Sequence, residues 1–157
     1  LVAGKAIEKG KTLEQTVKIM QDTIRDQQQI FTVRDLKYLI RGGRLSASKG
    51  FIANLLHLKP LLHCEKDGSL HPLSNAFGKN GLKKKLLATM KKAIDPNKKY
   101  WIAIGHCNNE ETALWYKKQI ETLFTPSELY VTSIAPTIGS HSGPGTISIA
   151  FIPEPIF

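Results

Sequence analysis

The sequence predicts an α/β domain of two layers, in which helices pack on a mixed β-sheet of about six strands. Two observations indicate this class. Between Tyr100 and Ile134 a strand, a helix and a strand alternate, which favours an α/β layer structure with at least one right-handed crossover. An Asp67-Gly68 pair lies between two apolar runs, a pattern typical of an antiparallel hairpin.

The N-terminal segment predicts two helices. Val2 to Lys9 is typical of the end of a helix that stops at Gly10. Thr12 and Gln15 have the spacing of a capping box, so a second helix begins there. Apolar residues at steps of three or four positions predict one amphipathic face on this helix: Leu13, Val17, Met20 and Ile24.

The middle of the chain predicts short elements around glycines. A strand at Phe31 to Val33 precedes a short helix that runs from Asp35 to Ile40 and stops at Gly42-Gly43. Ser46 or Ser48 can cap the next helix. The apolar residues of that helix are Phe51, Ile52, Leu55 and Leu56. The hairpin strands are Lys59 to Cys64 and Ser69 to Leu73.

The C-terminal half continues the alternation. One helix carries an apolar stripe of Leu82, Leu86, Leu87, Met90 and Ile94, with lysines on its other faces. Further predicted elements are strands at Tyr100 to Ile104, Glu128 to Ile134 and Thr146 to Ile152, and a helix at Glu110 to Phe124. Because Thr137 to Gly145 is rich in glycine and serine, we expect no regular structure there.

Composition limits the class of protein. The chain has 157 residues, 41% of them hydrophobic and 22% charged, the balance of a soluble globular protein. No run approaches the roughly eighteen apolar residues of a transmembrane helix. Cys64 and Cys107 lie far apart without a metal-binding spacing, so we expect neither a disulfide nor a metal site, and a cytoplasmic location.

The formal net charge of +9 favours anionic partners in general. Eight lysines against the single acid Asp95 lie between Lys79 and Lys99, so much of the excess is local. A basic nucleic-acid-binding or regulatory module is therefore one hypothesis. A solvated helix face is the other interpretation, since this helix lacks aromatic residues that would stack on bases.

The segment Gly139-Ser-His-Ser-Gly-Pro-Gly145 is a candidate ligand-binding loop. Its glycines and proline favour a fixed turn with free backbone amides, and His141 between two serines can face an anion. It is not the phosphate loop of nucleotide-binding proteins, because no Gly-Lys-Ser or Gly-Lys-Thr occurs. A plain tight turn with a surface histidine explains the pattern equally well.

The segment Tyr38-Leu-Ile-Arg-Gly-Gly-Arg-Leu-Ser46 is a second candidate. Arg44 follows two glycines, where its guanidinium can bind a carboxylate or phosphate through two hydrogen bonds. The alternative is a helix end at which two arginines interact favourably with the helix dipole.

These motifs together resemble a known family. The segment Phe31 to Ser46, then Leu55 to Leu62, Asp67-Gly68 and His141 to Gly145, in this order and at these separations, are similar to the C-terminal half of DegV proteins, the bacterial fatty-acid-binding family. The resemblance implies that residues 1–157 form a single C-terminal lipid-binding domain, and that the family's N-terminal α/β domain is absent from this chain.

The resemblance also implies a function. A long-chain fatty acid, the only ligand expected, would lie in a tunnel with its carboxylate near the boundary of the two domains, bound without a cofactor. The protein is not an enzyme but presents the fatty acid to a separate kinase, which makes an acyl phosphate for phospholipid synthesis. The expected partners are this kinase and the N-terminal domain, with nucleic acid disfavoured and peripheral membrane contact allowed.

Candidate site residues follow from the motifs and the resemblance. They are, for the carboxylate, His141, Arg44, Ser140 and Ser142; for the loops, Gly42, Gly43, Gly143, Pro144 and Gly145; and for the acyl chain, Phe51, Ile52, Leu55 and Leu56. The last four are equally well explained as ordinary core. Phe77 stands where many relatives have arginine, which weakens the expectation of coupling to a kinase.

Overall fold

A computed structural model describes residues 1–45, 59–65, 67–76 and 78–157 of the chain. Its helices are α1 (Val2–Glu8), α2 (Leu13–Asp26), α3 (Lys37–Arg41), α4 (Gly78–Ala93), α5 (Glu110–Phe124) and α6 (Pro136–Ser142). Its strands are β1 (Gln28–Thr32), β2 (Lys59–Cys64), β3 (Leu70–Ala76), β4 (Tyr100–His106), β5 (Glu128–Ser133) and β6 (Ile147–Pro153). The helix predicted around Phe51 to Leu56 lies outside the described residues.

The strands form one mixed sheet in the order β3-β2-β1-β6-β4-β5. Only the β4–β5 pair is parallel, with α5 connecting its two strands, and the other four neighbouring pairs are antiparallel. The strand–helix–strand alternation thus produced the parallel pair, and the Asp67-Gly68 turn produced the β2–β3 hairpin. The predicted α/β class with a sheet of six strands is confirmed.

The main core lies between the sheet and the helices α4 and α5. Ile102 and Ile149 of the central strands are fully buried there, against Leu86 of α4 and Ile120 of α5. Burying one such side chain contributes about 1.5–3 kcal/mol. Successive strand residues face opposite sides, so a second, smaller cluster occupies the other face: Phe31, Val33, Leu39, Leu45 and Leu62.

The capping box at the start of α2 forms as predicted. The Gln15 backbone N–H donates to Thr12 Oγ1 over 3.3 Å, and the Thr12 backbone N–H donates to Gln15 Oε1 over 3.0 Å. The apolar face of α2 is nevertheless not buried in the described structure. Its side chains keep large exposed fractions: Leu13 75%, Val17 44%, Met20 40% and Ile24 65%. We call these four residues the α2 stripe.

The prediction that residues 137–145 are irregular is wrong for most of the segment. Pro136 occupies the first position of α6, where a missing N–H costs no hydrogen bond. The Gly139 amide then donates to the Ala135 carbonyl over 2.9 Å, and the Gly143 amide to the Gly139 carbonyl over 2.7 Å. The irregular part is limited to the turn that follows Ser142.

Two smaller differences concern strand and hairpin bounds. β1 begins at Gln28 rather than Phe31, because both glutamines at its start pair with β6, Gln28 opposite Phe151 and Gln29 opposite Ala150. The hairpin loop spans more than the Asp-Gly pair, since the Glu65 amide donates to the Ser69 carbonyl over 2.9 Å.

None of the helices in the described ranges is long and apolar enough to span a bilayer.

Candidate functional site

The two glycine-containing motifs meet in the folded chain. α3, which is capped at its C-terminal end by Gly42, packs against α6, which carries His141. A Cβ placed on Gly42 would overlap His141 Nδ1 and lie 3.1 Å from His141 Cγ. Gly42 has an ordinary backbone angle, φ −79°, so the close approach of the imidazole is what requires glycine at this position.

Tyr38 and Gly143 make a second close contact between the same motifs. Gly143 ends α6 with φ +77°, and a Cβ there would lie 2.7 Å from Tyr38 Cγ. Tyr38 and Gly42 are four positions apart, so both lie on the face of α3 that meets α6. Tyr38 was not predicted as a site residue, although its spacing from Gly42 could have indicated it.

The two serines beside His141 differ in environment. Ser140 is exposed, and its hydroxyl donates to the Thr137 carbonyl over 2.9 Å. Ser142 is 5% exposed, and its Oγ has no hydrogen-bond partner among the described residues. Thr146 Oγ1 lies 2.9 Å from the Ser142 carbonyl and 2.8 Å from that of Gly143, and donates to them to hold the turn. Ser142 therefore has a hydroxyl proton available to a ligand.

Arg44 lies at the edge of this site. Its Nη1 donates to the Gly42 carbonyl over 2.9 Å, and the side chain is exposed. Gly43, with φ +68°, supplies the left-handed conformation that ends α3. At the start of this helix the side chain and amide of Lys37 hold the pKa of the Asp35 carboxyl below its usual range. Asp35 accepts a hydrogen bond from the Lys37 backbone amide, and this contact stabilises the start of α3.

The smaller apolar cluster includes residues on both sides of the Gly42-Gly43-Arg44 motif in the sequence. Leu39 of α3 and Leu45, which follows Arg44 directly, are both buried in it. Phe31, Val33 and Leu62 supply its sheet side. The predicted acyl-chain residues Phe51, Ile52, Leu55 and Leu56 belong to the segment outside the described residues. Sequence reasoning included Leu62 among the candidate lining leucines, whereas Phe31 and Val33 were missed, although alternation along β1 could have indicated them.

The structure also places three further histidines and the lysines of α4. His63 and His71 lie on the β2–β3 hairpin with ring centroids 6.2 Å apart, and His106 is buried at the end of β4. The described residues contain no group of three or more side chains arranged to hold a metal ion. Most lysines of α4 are exposed to solvent, while Lys83 lies over the Trp115 ring, 4.3 Å from its centroid.

Comparison with known proteins adds to this geometry. Residues 1–154 match the sequence model of a family described as "Uncharacterised protein, DegV family". A DegV domain-containing protein of Streptococcus pyogenes serotype M3 is 28% identical over 152 residues, which are 97% of this chain and 52% of the relative. The chain thus spans about half the length of the curated relatives that it matches.

Solved structures give the same result for the fold. The fatty acid binding DegV family protein of Streptococcus agalactiae superposes with a TM-score of 0.86 at 25% identity, covering 98% of this chain and 54% of that one. DegV of Bacillus subtilis, described as a fatty acid binding protein, gives 0.83 at 26% identity, with 98% and 55% covered.

Proposed function

Because the chain belongs to the DegV family, we propose that it forms one domain of a fatty-acid-binding protein and that the site around His141 binds the carboxylate. The observation that carries the proposal is the contact between Gly42 and His141 beside an apolar cluster. The Bacillus subtilis and Streptococcus agalactiae relatives are described as fatty acid binding, which supports the ligand class.

The chemistry of the site suits a carboxylate. His141 offers a ring N–H, Ser142 a hydroxyl proton without another described acceptor, and Arg44 a guanidinium within the same loop pair. A hydrogen bond to a charged carboxylate contributes roughly 1.5–3 kcal/mol. Ser140 contributes least to the proposed set, because its proton is already donated to Thr137.

The apolar cluster suits the acyl chain. Each CH2 group that leaves water contributes about 0.8 kcal/mol, so a long chain gains most of its affinity from apolar lining and its direction from the polar end. We propose that the tail runs along the α3 side of the sheet, towards Phe31 and Leu62. The residues Phe51, Ile52, Leu55 and Leu56 remain proposed lining.

We further propose that an N-terminal α/β domain packs against this one and completes the site. The α2 stripe supports this, because a contiguous apolar helix face exposed to water is typical of an interaction surface. The bound acid would then be presented to a separate kinase in the cytoplasm, so this domain would bind and present rather than catalyse.

The test measures fatty acid content. The chain joined to an N-terminal DegV domain is purified, extracted and analysed by mass spectrometry, together with His141→Ala and, as the matched control, Ser140→Ala. We expect a co-purified long-chain acid, lost about tenfold or more in His141→Ala, as one to two charge-assisted hydrogen bonds predict, and retained in Ser140→Ala. Equal retention in both variants removes His141 from the site.

Three further outcomes separate the remaining proposals. The 157-residue chain alone should retain lipid poorly, and tight retention would contradict a site between domains. No lipid together with salt-sensitive DNA binding would favour the nucleic-acid hypothesis instead. For the kinase, His141→Ala should slow acyl-phosphate formation when purified kinase and ATP are added, and unchanged turnover would reject that role.

A further inference from the structure

A separate polar cavity of about 380 Å³ opens where β1 and β4 end and β6 begins. It lies near the turn that follows α6, because Gly145 lines it. The residues that give it its chemistry are Arg34, Lys83, Asn108, Asn109, Thr112 and Gly145. Neither the proposed carboxylate site nor the proposed acyl lining uses any of the five polar residues.

The charged residues that line the cavity are all positive. Arg34 and Lys83 are its two charged lining residues, and none of the described residues around it is acidic. Lys83 is positioned by the Trp115 ring, 4.3 Å from its Nζ. Arg34 makes no ion pair within the described part of the chain. Both cations are therefore available to an anion.

The start of α5 faces the same cavity. Asn109 is the N-cap of this helix of 15 residues but makes no side-chain capping hydrogen bond. Its Nδ2 instead donates to the Gly145 carbonyl over 3.0 Å, which leaves the first amides of the helix without a side-chain acceptor. A helix N-terminus with free amides attracts anions. The exposed carboxylates of Glu110 and Glu111 lie in the same turn but do not line the cavity.

Three further details describe a formed cavity. Thr112 is 7% exposed and lines the cavity, and its hydroxyl makes no hydrogen bond to another described residue. Gly145 has φ +90°, and a Cβ there would lie 2.8 Å from Arg34 Cβ, so glycine lets the turn and Arg34 pack closely. Asn108 adopts a left-handed φ of +47° in the loop that leads into α5.

We propose that this cavity binds a dianionic phosphate group, held by Arg34, Lys83 and the amides at the start of α5. Two cations, the Thr112 hydroxyl and uncapped amides provide several donors for an anion with many acceptor oxygens. A cavity with this lining disfavours an acyl tail. The phosphate can be free or esterified, and the same chemistry recognises both.

The test is a titration of the isotope-labelled chain with inorganic phosphate, followed by amide NMR at constant ionic strength with chloride as reference. We expect saturable shifts at Asn108, Asn109 and Thr112. Arg34→Gln and Lys83→Gln should each weaken the affinity about three- to fivefold, as loss of one exposed charge contact predicts. Lys91→Gln removes the same charge from α4 outside the cavity and should leave the affinity unchanged.

Thr112→Val provides a second, nearly isosteric variant, which should also weaken binding while the spectrum stays folded. Titration with glycerol 3-phosphate distinguishes the sources: tighter binding than phosphate indicates an esterified group, and equal binding a free one. Shifts that do not saturate, or that spread over the α4 lysines and fall equally in Lys91→Gln, would overturn the proposal. This measurement does not depend on bound fatty acid. A negative result would therefore reject the phosphate site without affecting the proposed fatty-acid site.

Discussion

At the scale of single residues, Gly42 and Gly43 serve different physical purposes although they are neighbours. Gly42 has an ordinary backbone and is required by the imidazole of His141 beside it. Gly43 has open space around its Cα but a left-handed φ of +68°. One glycine is therefore needed for contact between two motifs, and the other for the direction of the chain.

This difference predicts distinct effects of alanine. Gly42→Ala should displace the His141 ring and lower the free energy of unfolding by about 1–3 kcal/mol, as overpacking does. Gly43→Ala should cost about 1–2 kcal/mol through left-handed backbone strain alone. Denaturant unfolding measures both costs, and ring NMR signals of His141 should shift only in Gly42→Ala. Unshifted ring signals in Gly42→Ala would contradict the described contact.

At the scale of elements, Lys5 of α1 contacts two strands of the sheet. Lys5 forms an ion pair with Glu128 of β5, and its Nζ lies 4.5 Å from the centroid of the Trp101 ring on β4. Glu128 also accepts a hydrogen bond of 2.7 Å from the Tyr130 hydroxyl. These contacts, with Lys5 first and Tyr130 second, lower the pKa of the Glu128 carboxyl below its usual 4.5.

A carboxyl with a lowered pKa stabilises the fold above its unfolded-state pKa and loses that contribution as the pH falls through its folded-state pKa. Glu128→Gln should therefore be less stable than the parent protein near neutral pH, and the difference should shrink below pH 4.5 and vanish in stronger acid. Unfolding curves across this range give the measurement. Glu121→Gln, which removes an exposed carboxylate of α5, is the control. A difference that persists in strong acid would refute the role of the ion pair.

The α2 stripe predicts a contrast between two isoleucines. Ile24 is 65% exposed, whereas Ile120 of α5 is fully buried. Ile24→Gln should change the free energy of unfolding of the 157-residue chain by less than about 0.5 kcal/mol. Ile120→Ala should lower it by about 2–5 kcal/mol. A large, concentration-dependent loss in Ile24→Gln would instead show that copies of the chain cover the stripe.

Most elements follow from local patterns, and the exceptions have physical causes. Glu110–Phe124 was predicted to the residue because its apolar spacing and flanking polar residues agree. Pro136–Ser142 was missed because glycine and serine have weak helix preference, while packing against α3 stabilises the helix. His141 and Gly42 were recognised separately, but their contact depends on the order of strands, which neither motif encodes. Arg34 and Thr112 carry no signal in the sequence for the same reason.

At the scale of the whole molecule, stability is concentrated in the middle of the sheet. β4 and β6 have neighbours on both sides and carry the fully buried Ile104, Ile149 and Phe151, while β3 and β5 are edges. Edge strands open more readily than central ones, since fewer backbone hydrogen bonds and buried contacts hold them.

Hydrogen exchange should therefore vary across the sheet. We expect amides of Ile104 and Ile149 to exchange only on global unfolding, and those of β3 to exchange faster by local opening. Amide NMR or mass spectrometry after transfer to heavy water gives the rates, and denaturant distinguishes local from global opening. Uniform protection from β3 to β5 would argue that the sheet opens as one unit.

The position of β6 has a consequence for how the protein is made. The last described strand in chain order lies between β1 and β4, and so joins the hairpin half of the sheet to the parallel half. A growing chain on the ribosome can build β1–β2–β3 and β4–β5 as separate pieces, but the sheet stays divided until Ile147–Pro153 has emerged. Translation that stops before Ile147 would leave two exposed strand edges where the folded domain has its centre.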